Sequence, residues 1–295
     1  MNNPRTTFRI NNAVPTRPRR RLLVAVLFAL VQSPLLAQPP QFAATVLQRF
    51  SSADAYQGIA VDAEYFYTIN NRQISRHRKD SGTLVKRWND AGNLTVPLIH
   101  LDSGVIVAGQ LIAAHSNYPR WPMRSSLEFF DADSLTFSHR VDFGIMLGSM
   151  TWADYYDGQW WGTFANYDIA QVGMLRPYGG TRNTVVVRFD AEYNVQQQWR
   201  LPDEIVQRVS PMSNSGGSWG ADGFLYLTGH DHPEIYVMQA PADADTLRWI
   251  ATVIVPGLNG QGIAWDRSNN EHQLWAILRA DRQVLKIQMP VIQLD

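Results

Sequence analysis

Tyr56-Gln57-Gly58-Ile59-Ala60-Val61-Asp62 returns near the other end of the chain as Gly260-Gln261-Gly262-Ile263-Ala264-Trp265-Asp266. Looser copies are Gly148-Ser149-Met150-Thr151-Trp152-Ala153-Asp154 and Gly216-Gly217-Ser218-Trp219-Gly220-Ala221-Asp222. A fifth, His100-Leu101-Asp102-Ser103-Gly104-Val105-Ile106-Val107, fits by position more than by letters. After each copy comes a turn and then an apolar strand: Tyr65–Ile69, Gln110–Ala114, Gln159–Phe164, Phe224–Thr228 and Gln273–Leu278. Third and fourth strands follow in most units, as in Ser126–Asp131 with Phe137–Phe143 and Thr184–Asp190 with Val195–Leu201.

The copies start about 45 residues apart, save for one unit enlarged by an insertion, and four short strands in that length is the size of a propeller blade. Asp80-Ser81-Gly82, Asp157-Gly158 and Asp222-Gly223 sit where hairpins are needed. Helical periodicity appears only around Asp203–Val209. The expected fold is therefore all-β, a five-bladed β-propeller over residues 38–295, with six blades as the alternative if residues 166–215 hide a degenerate unit. The last unit has three strands, ending with Val284–Met289, and Ala44–Phe50 is an orphan. Pairing the two would close the last blade with the N-terminal strand and remove an open edge.

Residues 1–37 read as a signal peptide. Arg17, Arg19, Arg20 and Arg21 precede the apolar run Leu22–Val31, and a small residue, Ala37, ends the stretch. The run is shorter than the roughly 20 residues that span a bilayer, so the only membrane contact expected is an uncleaved leader acting as an anchor. The protein is accordingly expected to be periplasmic or secreted. Six of the 26 Lys and Arg residues and none of the 26 Asp and Glu residues lie before residue 38, so the remainder carries a net charge of −6. An acidic chain repels phosphate backbones, and nucleic acid is not an expected partner. There is no cysteine, which excludes disulfides, thiol catalysis and thiolate-bound metals.

In a four-stranded blade, the loops between second and third strands, and the connections between blades, open on one face, here called upper. The hairpins on the lower face are short and acidic (Val61–Glu64, Lys79–Thr83, Asp131–Ser134, Asp190–Asn194). The upper face is elaborated by His115–Ser125, Asn166–Asn183, Pro202–Ser215 and Gly229–Glu234. Long loops on one rim of a rigid scaffold are where binding groups gather, and four of the seven histidines fall there: His100, His115, His230 and His232.

These four are candidate ligands for a divalent metal, zinc or calcium, with Asp231 or Glu234 as carboxylate ligand or orienter. The alternative is that they hydrogen-bond neighbouring loops and hold the rim together. Metal-free acid–base catalysis would use His115 or His230 as base, oriented by Asp102 or Asp231, with Arg124 holding an anionic group. Arg124 has an ordinary reading too, an ion pair with Glu128. Gln57, Asn71, Asn117, Tyr118, Trp121, Asn166, Tyr167 and Gln261 are candidate contacts to a small-molecule ligand, since rim aromatics can stack on a ring and rim amides can bond polar groups. The tryptophans in strands (Trp152, Trp160, Trp161, Trp219, Trp265, Trp275) read instead as packing between blades. The letters G-x-S-x-G occur in Gly216-Gly217-Ser218-Trp219-Gly220, but that stretch is a copy of the repeat strand and not a strand-to-helix nucleophile elbow.

With its repeats aligned, the chain resembles bacterial exported propellers of the gluconolactonase-like and cycloisomerase-like kind. Gly260–Asp266 also resembles an innermost-strand signature of plant-type glutaminyl cyclotransferases, and Leu225-Tyr226-Leu227-Thr228-Gly229-His230-Asp231-His232-Pro233-Glu234 resembles another segment of that family. The two segments lie here in successive blades, so no catalytic residue is carried over. The resemblance implies a metal-assisted hydrolase, a lyase or a cyclising transferase. A non-catalytic ligand- or protein-binding propeller is the alternative.

Overall fold

The structure, a computed structural model, describes Met1 and residues 38–90, 97–145 and 147–293. The chain divides into Met1–Gln38 and Pro39–Asp295. The leader reading falls on residues 2–37 and lies outside the described residues. Two short strands open the second unit, β1 (Gln41–Ala43) and β2 (Thr45–Ser51). The first blade is β3 (Gly58–Val61), β4 (Tyr65–Asn70), β5 (Gln73–Arg78) and β6 (Leu84–Asn89). The second is β7 (His100–Val107), β8 (Gln110–Ser116), β9 (Ser125–Asp131) and β10 (Phe137–Gly144). The third is β11 (Ser149–Tyr156), β12 (Gln159–Ala165), β13 (Val185–Phe189) and β14 (Val195–Arg200).

After helix α1 (Asp203–Val209) comes the fourth blade, β15 (Gly216–Trp219), β16 (Leu225–Thr228), β17 (Glu234–Gln239) and β18 (Arg248–Ile254). The fifth is β19 (Ile263–Trp265), β20 (Gln273–Leu278) and β21 (Gln283–Gln288), completed by β2. The protein is thus a five-bladed propeller. Residues 166–215 hold the outer half of the third blade and α1, not a sixth unit.

Closure follows from pairing. β2 lies antiparallel to β21, with Phe50 opposite Val284 and Val46 opposite Ile287. One feature was not expected: β1 runs parallel to β18, with Phe42 opposite Val253. The N-terminal segment therefore clamps two blades, covering the outer edge of the fourth before completing the fifth.

Each blade is buried on both faces, which is why its inner strands read as apolar runs rather than as alternating ones. Along β8, Leu111 and Ala113 pack towards Tyr67, Ile69 and Ile74 of the first blade. Ile112 and Ala114 point the other way, to Met150, Phe164 and Val187 of the third. The same alternation places Trp152, Trp161 and Trp199 against Leu225, Leu227 and Tyr236. Tyr226 and Val237 meet Trp265 and Leu274, and Trp275 and Phe50 meet Phe66. Five such clusters, one per blade boundary, form the core, and each large side chain fully removed from water contributes about 1.5–3 kcal/mol. The strand tryptophans pack there as expected, Trp160 half-buried at the margin of the cluster between the second and third blades, where it also rests on Tyr155 and Tyr193.

The glycines of the repeat are explained at the axis, where the innermost strands touch. A Cβ on Gly58 would lie 2.4 Å from the Ser103 Cα, and one on Gly262 would lie 2.5 Å from the Gly58 Cα. Ser103 Oγ donates to the Ile59 carbonyl at 3.0 Å, and the Gly262 N–H donates to the Gln57 carbonyl at 3.0 Å. The middle of the ring is therefore closed by backbone, leaving a separate depression at each end.

Candidate functional site

The upper depression is a cavity of about 440 Å³ to which every blade contributes. Gln57 enters from the connection into the first blade, and His100, Asp102 and Tyr118 come from the second. Thr151 and Tyr167 come from the third, Met212, Ser215 and His230 from around the fourth, and Gln261 and Arg279 from the fifth.

His100 begins β7 and is held by its neighbours. Its Nδ1 lies 2.8 Å from Asn71 Oδ1, which also accepts from Gln57 Nε2 at 2.7 Å. With an amide oxygen as partner, Nδ1 carries the proton and Nε2 is left as a base. Nε2 faces Asp102 Oδ2 at 3.7 Å. Burial, followed by the field of Arg279, brings His100 down to about 4, so the ring is neutral at pH 7. Burial pushes the Asp102 carboxyl well up, against the opposing pull of the Ser103 N–H and Arg279. Asp102 is 4% exposed and accepts a hydrogen bond from the Ser103 N–H at 3.1 Å. A neutral imidazole and a carboxyl whose ionisation burial opposes thus stand side by side in one cavity.

The walls are aromatic and polar by turns. Tyr118 and Tyr167 meet at 4.9 Å between ring centroids, and Tyr118 is 5.3 Å from the His100 ring. Burial raises both phenols, so they remain protonated. His230 pairs with Asp231 through Nδ1 and Oδ1 at 2.7 Å. Thr151 Oγ1 is buried without a hydrogen-bond partner among the described residues. Gln261 adopts φ +73°, a left-handed conformation costly for any side-chain-bearing residue. Arg279 lies over the Tyr56 ring at 3.9 Å, and its hydrogen bond lowers the Tyr56 phenol.

Of the expected ligand contacts, Gln57, Tyr118, Tyr167 and Gln261 line this cavity, and Asn71 stands behind His100. Asn117, Trp121 and Asn166 do not line it. Asn117 ties its own loop, donating to the Pro122 carbonyl at 2.8 Å and accepting from the Arg124 N–H at 2.8 Å. Trp121 rests on Tyr178 at 3.8 Å, away from the axis. Asn166 is buried and donates to the carbonyls of Leu147 and Asn183 at 2.7 and 3.0 Å.

The four histidines do not converge. His115 is still inside β8, where its Nε2 accepts from the Ile99 N–H at 3.1 Å and its Nδ1 donates to Ser126 Oγ at 2.8 Å. Ser126 passes the bond to Glu128 Oε1 at 2.7 Å. Both ring nitrogens are consumed within the protein, so His115 is neither an exposed base nor a free ligand. His232 is exposed on its loop, leaving only His100 and His230 in the cavity. Among the described residues no three His, Asp or Glu groups are placed to hold a metal ion, and the donor set does not fit zinc or calcium. Arg124 also departs from expectation: it pairs with Asp142 at 3.1 Å, while Glu128 is taken by Arg140 at 2.6 Å.

Arg279, Thr151, Met212 and Ser215 were not anticipated as site residues, and Asp102 was expected only as an orienter. Arg279 lies in a tight turn of the fifth blade; sorting every upper-face connection by face, short ones included, would have found it.

No family model and no curated protein sequence matches this chain. Among solved structures it is similar to hydrazine synthase of Kuenenia stuttgartiensis, at 11% identity over 80% of this chain and 84% of that chain, with a TM-score of 0.45. It is likewise similar to the PQQ-bound form of aldose sugar dehydrogenase from Streptomyces coelicolor, at 11% identity over 82% of this chain and 80% of that chain, with a TM-score of 0.47. At this identity the likeness is one of fold, and neither activity passes to this chain.

Proposed function

We propose that this chain is an exported, periplasmic or secreted propeller whose upper cavity binds a small molecule and acts on it by proton transfer. His100 is the base and Asp102 the acid. The observation that carries the reading is the 3.7 Å approach of His100 Nε2 to Asp102 Oδ2 inside the cavity, with burial displacing the two groups in opposite directions. Pairs of titratable groups driven apart in this way are the usual signature of acid and base roles. Asn71 and Gln57 act as positioning residues that fix the imidazole tautomer. The reaction classes this supports are lactone or ester opening, elimination, and cyclisation with loss of a small leaving group, all of which need one proton taken and one given.

The test is a thermal-shift screen of residues 38–295 against lactones, esters and N-terminal glutamine peptides, with hits followed by NMR for turnover. Turnover lost at least 100-fold in His100→Gln and Asp102→Asn, with binding kept, supports the enzyme. Binding without chemistry in the unaltered protein favours the non-catalytic binder, and a screen with no hit removes the cavity as a ligand site. Export is tested by the intact mass of protein from the periplasmic fraction, expected to begin at Gln38.

A further inference from the structure

We infer that the ligand of the upper cavity is a small carboxylic acid, its carboxylate held by Arg279 and its ring or apolar body lying against Tyr118, Tyr167 and Met212. The inference rests on the cavity being a ligand site and adds the chemistry that the ligand must carry.

Arg279 is half-buried and lines the cavity. No carboxylate lies within ion-pair distance of it among the described residues, although Arg72, Arg76, Arg87, Arg124, Arg140, Arg182, Arg208 and Arg267 all have one. Its contact is with an aromatic face: the guanidinium lies over Tyr56, and Arg282 lies over the same ring at 4.1 Å. Stacking fixes the plane of the fork, and of its five N–H donors those not given to the Tyr56 hydroxyl are left for a ligand, the arrangement by which arginine receives a carboxylate through two parallel bonds. Lysine would supply the charge without the fork.

The acid nearest in function does not fill this role. Asp102 shares the cavity but does not come within ion-pair distance of Arg279, and burial pushes its carboxyl well up, against ionisation. Arg279 shares the cavity lining with His100, Asp102 and Tyr118, and its charge bears on all three. The Thr151 hydroxyl, which has no hydrogen-bond partner among the described residues, supplies a further polar point. A cavity of about 440 Å³ lies within the range of about 300–1,000 Å³ typical of small-molecule sites.

The probes are benzoate, cyclohexanecarboxylate and D-gluconate, each beside its neutral amide, measured by calorimetry and thermal shift on residues 38–295. The expected result is that at least one acid binds about tenfold or more tightly than its amide. Arg279→Gln should abolish that preference, Arg279→Lys should retain part of it, and Arg124→Gln, on the surface, should leave it intact. Amides that bind as well as acids, or an acid preference that survives Arg279→Gln, would overturn the carboxylate inference while leaving the cavity as a ligand site. If neither series binds but a neutral fragment does, and the binding is lost in Tyr167→Ala, the carboxylate inference also falls and the site stands. If nothing binds, both fail together.

Discussion

Arg267 of the fifth blade reaches across the lower mouth of the axis to Asp154 of the third, its Nη1 donating to Asp154 Oδ2 at 2.9 Å and its Nη2 to Oδ1. The same carboxylate accepts the Trp219 N–H at 2.8 Å and Ser218 Oγ at 3.1 Å, so one side chain ties together three blades. Asp154 is almost fully buried, and removing its charge strands the guanidinium and two further donors. Truncating one partner of a buried pair costs about 3–5 kcal/mol. Asp154→Ala should lower the unfolding free energy by about 3 kcal/mol, read from urea midpoints, and the double variant with Arg267→Met should recover part of that. A loss below about 1 kcal/mol in the single variant would mean that the clasp is solvated.

The triplet Gly260-Gln261-Gly262 predicts opposite responses at adjacent positions. A methyl group on Gly262 meets backbone at 2.5 Å, which no rotamer change relieves. Gly262→Ala should cost at least 1–3 kcal/mol, the usual range for overpacking. Gln261 is strained by its own Cβ at φ +73°, and Gln261→Gly should leave stability unchanged or raise it by up to about 1 kcal/mol. The glycine variant should nevertheless bind ligand more weakly, because a cavity wall is gone. Calorimetry and a melting curve on the same sample separate the two effects.

The strength of the repeat explains how much could be read beforehand. Gly-Ile-Ala-x-Asp marks the axis in the first and fifth blades, where Gly58 and Gly262 pack against backbone, and the apolar strands that recur about every 45 residues mark the other three. That fixes five blades and the closing strand. β1 was illegible: three residues, Gln41–Ala43, in parallel pairing have no periodicity of their own. In the site, Tyr118 and Tyr167 could be picked out because they stand in long loops. His115 was misplaced because β8 runs on to Ser116, one residue past it, and a shift of that size moves a histidine from rim to interior. Arg279 escaped because a four-residue turn gives no composition signal.

The N-terminal clamp makes a prediction about assembly. β2 covers the edge of β21, and β1 covers that of β18. Starting the chain at residue 52 would bare two strand edges and the Phe50 side of the cluster around Trp275 and Ile277. Unpaired edges of this kind recruit other chains. The truncated protein should aggregate on light scattering where residues 38–295 run as a discrete species. A truncated form that stays discrete, with unchanged far-ultraviolet circular dichroism, would show that the ring holds without its closing strand.

The cavity pair should make stability respond to pH from both sides. His100 titrates near 6.5 when unfolded and at about 4 when folded, burial being the main cause. The unfolded chain therefore takes up the proton first, and the contribution is complete above about pH 6.5 and lost as pH falls towards 4. At about 1.4 kcal/mol per pH unit, the loss is roughly 3 kcal/mol for this residue. His115, held at about 3 by burial and the Arg140 charge, steepens the same limb. Asp102 acts in the opposite sense: its folded value is raised, so its contribution is complete below the unfolded value near 3.8 and is lost as pH rises through the folded one. His100→Gln should flatten the acid limb of urea midpoints measured from pH 4 to 9. Asp102→Asn should raise the midpoint at pH 8, since an amide carries no ionisation penalty. An Asp102→Asn protein less stable than its parent at pH 8 would mean that the carboxyl is ionised in the folded state, and it would remove the acid from the proposed chemistry.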